Sequence, residues 1–290
     1  VDSRLATLLS QEYPSSERAL KELVDNAWDA DAEHVFVTLP KPLSGGSIVI
    51  EDDGSGMTEE ELRRHYLAIA SDRRSRRGER TAGKNRPVKG RKGIGKFSGL
   101  MAAATMMLET RARGRLCRIS LRLDDLSRVE DIEQLDIDLH GEPCAPELHG
   151  TTITLSDLHQ GLAYPDANHL RQILLQDYGR QDDFSITVDD KRLDVDDVSG
   201  RYTEQEQALP NAGKVKLRFS ISDGKSGLRQ PGITLRVDGK AVGRPGFFGM
   251  DQRDDFPPKL LRKLYGEVEA DGLRDHITAG WDAAVENSEL

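Results

Sequence analysis

Three polar side chains at helical spacing are the first residues in this chain that could do chemistry. Glu22, Asn26 and Asp29 stand in the stretch 20–32, LKELVDNAWDADA. Their spacing puts all three on one face of a helix, one turn after another. Leu20, Leu23, Val24, Ala27 and Trp28 supply the apolar side of the same helix. Two carboxylates and an amide arranged this way serve a reaction if a substrate lies beside them. Otherwise they are an ordinary solvated helix face.

Two further motifs bear on that choice. The strand-like run 47–51, SIVIE, leads into Asp52-Asp53-Gly54-Ser55-Gly56-Met57. Alternate glycines let the backbone turn tightly and approach a ligand, with the strand-end carboxylate aimed into the turn. Taken alone, the motif reads equally as an acidic turn before Thr58, the N-cap of a helix over 59–70. Later, GRKGIGKFSG at 90–99 opens an apolar segment through Met101, Ala102, Met106 and Met107, expected to be helical. A glycine-rich turn at a helix start offers free amides and a positive helix end to an anion, and Lys96 adds a point charge. The spacing is not that of a Walker loop. No preceding strand makes it a dinucleotide-binding turn.

These motifs need elements to hold them. Residues 2–11 have helical spacing, and Ser15 or Ser16 caps the helix that follows, with Glu17 at its positive end. HVFVTL at 34–39 and SIVIE form a hairpin of strands. Residues 71–92 carry many Lys and Arg without apolar period, and read as a disordered or functional lid. Strands are expected at 116–123, 132–140, 150–155 and 184–188, with a helix inside 164–179. The acidic stretch 196–210 reads as the boundary of a second unit, with strands at 214–222, 232–242 and 264–270, a Pro/Gly-rich loop at 243–258, a short helix after it, and a terminal helix near Trp281.

Composition narrows the functions. At 37% hydrophobic and 31% charged residues, the chain suits a soluble protein with a real core. Aromatics at 5% are too few for base stacking to be a main theme. A net charge of -9 argues against a whole-surface grip on nucleic acid or membrane, though a local basic patch remains open. Cys117 and Cys144 lack metal-ligand spacing and read as thiols of a reducing compartment. No membrane-spanning run or signal peptide is visible, so a cytoplasmic location is expected. The start at Val1 and the abrupt end at Leu290 read as a fragment of a longer chain.

Four motifs in one order, ELVDNAWDADA, DDGSGM, GRKGIGKFSG and GTTITL, resemble the superfamily of gyrase, heat-shock chaperone, histidine kinase and MutL ATPases. The resemblance covers about residues 15 to 190 and is nearest the MORC, MutL and chaperone branch. Histidine kinases lack the glutamate at Glu22, and no phosphotransfer helix pair is seen. The resemblance implies an α+β fold, a Bergerat-type α/β sandwich of a mixed sheet covered by helices, over 1–200. It implies ATP and Mg²⁺ as cofactors, lid closure over 71–92, slow hydrolysis and a nucleotide-dependent homodimer. Glu22 would be the general base, Asn26 the protein ligand of Mg²⁺, and Asp29 a support. Asp52 would accept from the adenine amino group, with Gly54, Gly56, Met57 and Thr151 around the base. Lys92, Gly93, Ile94, Gly95, Lys96 and Phe97 would cradle the phosphates. Arg73, Arg74 and Lys84 are lid cations that could reach phosphate. Residues 201–290 look like a smaller α/β transducer domain on the strand ITLRVDGKAV, although no Lys stands at 277–286 and Lys240 lies on another strand. A DNA-associated clamp, a defence-system component or a chaperone-like protein are the alternatives.

Overall fold

The computed structural model describes residues 15–41, 45–66, 78–90, 95–128, 137–210 and 212–278. The chain divides into two compact units, one of residues 1–170 with 183–192, the other of 171–182 with 193–290. Among the described residues, no helix is long and apolar enough to cross a membrane.

The first unit begins with α1, Ser16–Asp29, capped by Ser15, whose side chain accepts from Arg18 N. Its buried stripe is Ala19, Leu20, Leu23, Val24, Ala27 and Trp28. Strands β1 (His34–Thr38) and β2 (Ile48–Asp52) follow as an antiparallel pair. Val35, Val37, Ile48 and Ile50 turn inward, whereas Phe36 is half exposed on the other face. The expected helix at 59–70 is helical over its described part, residues 59–66, and residues 67–70 lie outside the described residues. Thr58 and Glu61 form a capping box for Glu59–Glu61, and a widened π-turn follows at Leu62–Tyr66.

A larger correction concerns the segment after the glycine-rich turn. Gly95–Met101 is a 3₁₀ turn, and Ala103–Ala112 is strand β3 rather than helix. Alanine and methionine favour helices in isolation. Here Ala103, Met106, Leu108, Thr110 and Ala112 are the buried set, close to a period of two, and β3 pairs on both sides. Strand pairing overrides the local preference. Next come β4 (Arg115–Arg122), β5 (His140–Pro143), β6 (Gly150–Leu158), β7 (Ser185–Val188) and β8 (Lys191–Arg192). The expected strand at 132–140 lies mostly outside the described residues. The sheet runs β5-β4-β3-β6-β2-β1-β7-β8, mixed because β1 and β7 are parallel. Helix α1 and the 3₁₀ turn lie on one face, tied where Ser98 Oγ donates to Ala19 O at 2.9 Å.

The second unit has a five-stranded sheet, β12-β11-β13-β10-β9. Its strands are β9 (Gly200–Leu209), β10 (Gly213–Ser222), β11 (Gly232–Val237), β12 (Lys240–Gly246) and β13 (Leu264–Glu269). The stretch expected as an acidic boundary is therefore mostly strand β9. Its side chains are polar on both faces, so no apolar alternation betrays it. The run expected as one strand at 232–242 is a hairpin, because Asp238 and Gly239 both adopt positive φ and turn the chain. The predicted helix near Trp281 lies outside the described residues.

Candidate functional site

The site is built on the end of β2, the face of α1 and the 3₁₀ turn. Asp52 closes β2, and its Oδ1 accepts from Gly54 N at 2.9 Å. Burial pushes Asp52 up to about 7; the neighbouring Asp53 also raises it, while the amides of Gly54 and Thr151 hold it back. A carboxyl group in such a place is poised to change protonation near neutrality. Register sets Asp52 opposite Thr151 on β6. Thr151 Oγ1 lies 3.2 Å from Thr110 Oγ1, and Thr110 Oγ1 accepts from Met57 N at 2.9 Å. Thus Asp52, Gly54, Gly56, Met57 and Thr151 come together.

The two turn glycines meet a physical requirement. Gly56 has φ +61, and a Cβ there would lie 1.9 Å from Arg111 O. At Gly54 a Cβ would lie 2.8 Å from Ala30 O and from Asp52 Oδ1. Asp53 has a different task from Asp52. It accepts from Glu33 N, His34 N and His34 Nδ1 at 2.7, 2.8 and 2.7 Å. Partial burial pushes its pKa up, but these bonds outweigh it and hold Asp53 below the usual carboxylate range.

On α1, Glu22 and Asn26 are half-buried. A Cβ on Gly95 would lie 1.8 Å from Glu22 Oε1, so the helix carboxylate rests directly on the first described residue of the 3₁₀ turn. Asn26 Nδ2 is buried with no hydrogen-bond partner among the described residues. A buried amide group without a partner is costly unless a ligand or water completes it. Lys96 lies with Nζ 5.3 Å from the Phe97 ring centroid and 5.8 Å from that of Tyr66. Phe97 itself is fully buried. Tyr66 OH donates to Lys96 O at 2.8 Å, and burial raises the Tyr66 pKa, so it stays a donor. Lys92, Gly93, Ile94, Arg73 and Arg74 lie outside the described residues.

Asp29 takes another role in the geometry. It accepts from Lys89 N and Gly90 N at 2.8 and 2.9 Å. Asp31, with φ 61, accepts from Gly83 N and Lys84 N at 2.7 and 3.1 Å. Lys84 Nζ bonds Glu33 at 2.6 Å, and Trp28 Nε1 donates to Pro87 O at 3.0 Å. Arg86 is buried, 4.5 Å from the Trp28 ring centroid, donating to Ala32 O and Asp183. Residues 78–90 of the expected lid are therefore a strap fixed to the end of α1. Sequence reasoning missed Thr110, Asp31, Tyr66 and Arg86. Asp31 closes the helical stretch of the sequence, but nothing local pairs it with residues 83–84, and nothing distinguishes Arg86 from its neighbouring cations.

Known proteins agree with this geometry. The family model described as histidine kinase-, DNA gyrase B-, and HSP90-like ATPase matches residues 13–151. A stretch of 83 residues is 37% identical to a putative type II restriction enzyme, HgiDII, of Herpetosiphon aurantiacus; it is 29% of this chain and 13% of that protein. The family match falls within the first unit, whose mixed eight-stranded sheet is consistent with the fold of histidine kinase-, DNA gyrase B- and HSP90-like ATPases, and the chain spans only a small part of the restriction-enzyme relative.

Proposed function

We propose that the first unit binds ATP with Mg²⁺ and hydrolyses it slowly to ADP and phosphate. The observation that carries the reading is the Glu22 carboxylate seated on Gly95, where the glycine-rich segment enters its 3₁₀ turn. Phosphates held by the amides of residues 93–96 and by Lys96 would lie beside that carboxylate. Glu22 then takes a proton from water as its oxygen attacks the γ-phosphorus. The bond from γ-phosphorus to the bridging oxygen breaks, and ADP leaves with that oxygen. Asn26 would serve as the protein ligand of Mg²⁺ through its Oδ1, from the same half-buried face of α1 as Glu22. Its buried Nδ2, unpartnered among the described residues, would donate to a phosphate oxygen. The ion would add positive charge at the phosphates, its other ligands being phosphate oxygens and water. Ionised Asp52 would accept from the adenine amino group, with Thr151, Gly54, Gly56 and Met57 shaping the pocket. Asp29 would set the strap that leads into the phosphate loop.

In this reading nucleotide binding closes the remaining part of the lid, and the second unit acts as a transducer that favours a homodimer. Glu22→Gln should keep the affinity for a non-hydrolysable ATP analogue, measured by calorimetry, and lose phosphate release. Undiminished turnover would overturn the assignment. Sizing with and without the analogue tests the dimer.

The match to a putative restriction enzyme favours a second reading, in which the ATP cycle switches a DNA-directed defence component. A DNA-binding titration over a range of salt, with and without nucleotide, separates the two. Phosphate contacts weaken steeply with salt, and only the second reading expects them to depend on nucleotide.

A further inference from the structure

The sheet of the second unit carries charge in alternating columns. Register aligns Glu206 of β9, Lys216 of β10, Glu269 of β13 and Arg236 of β11 in one row across one face. The neighbouring row aligns Glu204, Arg218 and Glu267. Signs therefore alternate strand by strand. Contacts follow the alternation: Lys216 meets Glu204 at 3.0 Å, Arg218 meets Glu267 at 3.0 Å, and Arg236 meets Glu267 at 3.0 Å. Opposite charges on facing strands attract, and like charges directly opposed repel.

The pattern stops on a negative column. Strand β9 is the outer strand, ten residues long, without proline, and exposed along nearly its whole length. Among the described residues no strand pairs with its outer side, so a row of main-chain donors and acceptors is presented there. The opposite edge, β12, carries Pro245, which blunts it.

We propose that β9 docks an extended strand from another protein that carries Lys or Arg at alternate positions. Main-chain pairing supplies affinity, as in other strand-addition sites, and the alternate cations face Glu204 and Glu206 to continue the column pattern. Two other occupants fit the charge worse. A second copy of β9, paired antiparallel about Gln205, would set Glu204 against Glu206 twice. Residues 279–290 bring Asp282, Glu286 and Glu289 and no Lys or Arg.

The test is fluorescence anisotropy of the whole chain with labelled peptides. An alternating Lys-Thr peptide should bind. The same composition arranged as a Lys block and a Thr block should bind more weakly. An alternating Lys-Thr peptide N-methylated on every second amide should bind at least about tenfold more weakly, since it cannot complete the ladder. The Glu204→Lys/Glu206→Lys chain should reject the Lys-Thr peptide and accept a Glu-Thr one. Equal binding of the N-methylated peptide would reduce the site to unspecific charge attraction and overturn the proposal; that arm uses the unaltered chain. Amide protection of residues 200–209 that rises with protein concentration, marking self-pairing, would overturn it as well.

Discussion

Replacing Gly95 by alanine isolates the placement of the Glu22 carboxylate from the rest of the first unit. The added Cβ would lie 1.8 Å from Glu22 Oε1, whereas ordinary contact begins at 3.4 Å. The carboxylate must therefore retreat by about 1.6 Å, the difference of those distances. The colliding atoms are Oε1, Cδ and Cγ of Glu22, at 1.8, 2.6 and 2.8 Å, all in one flexible side chain, so rotation about its torsions, the first included, relieves the overlap. Gly95 does not occupy the left-handed region, so alanine brings no backbone strain. Misplacement of a catalytic group by about 1 Å costs roughly 10²-fold, or about 2.7 kcal/mol of barrier. Gly95→Ala should thus lower kcat for ATP about 100-fold or more, while affinity for a non-hydrolysable analogue changes by less than about threefold. Phosphate release at saturating ATP gives the first number, and calorimetry gives the second. Thermal unfolding should move by no more than about 2 °C, because no core contact is lost. Turnover left at its original value would refute the reasoning, since Glu22 would then act from a place the structure does not give it.

Gly56→Ala should behave differently, because its Cβ would strike the main-chain Arg111 O at 1.9 Å with φ at +61. A main-chain obstacle cannot rotate away, so stability should fall by roughly 1–3 kcal/mol alongside binding, as read by chemical denaturation. Asp52, pushed up to about 7, should make nucleotide affinity rise with pH from 6 to 8 by about tenfold, as the ionised fraction rises. Without nucleotide the sign reverses. The folded state binds the extra proton between the ordinary carboxylate pKa and about 7, so stability should fall as pH rises through that window. Asp52→Asn should flatten both profiles. Arg86→Met should lower stability by about 2–3 kcal/mol, because Ala32 O and Asp183 lose a charged donor. Arg86→Lys should restore only part of it, lacking the planar fork.

Much of the first unit was legible because its signals were local. The stripe Leu20, Leu23, Val24, Ala27 and Trp28 names the buried side of α1 at period 3.6, and Val35 and Val37 name the inner side of β1 at period 2. The gathering of Asp52, the turn glycines, Met57 and Thr151 follows from one hairpin and one register. Strand β3 was not legible, since Ala and Met state a helical preference that only the two flanking strands defeat. The hairpin at Asp238-Gly239 was legible in principle, as that dipeptide is a turn signal, but it was absorbed into one long strand. Arg86 was hidden for another reason. Its partners are a carbonyl at Ala32, a ring at Trp28 and a carboxylate at Asp183, brought together only by the finished fold.

The strap over residues 78–90 is held at Asp29 and Asp31 through main-chain N–H groups. That choice of partner separates shape from side-chain identity. At positions 84 and 89 the anchors ask only for an amide, which every residue except proline provides. The side chains there are thus open to selection for other ends, while the two aspartates that read the backbone are not interchangeable with larger or neutral residues. Substitution tolerance in this part of the chain should be lopsided: broad at positions 84 and 89, narrow at the buried Arg86 and at the helix end that grips the strap.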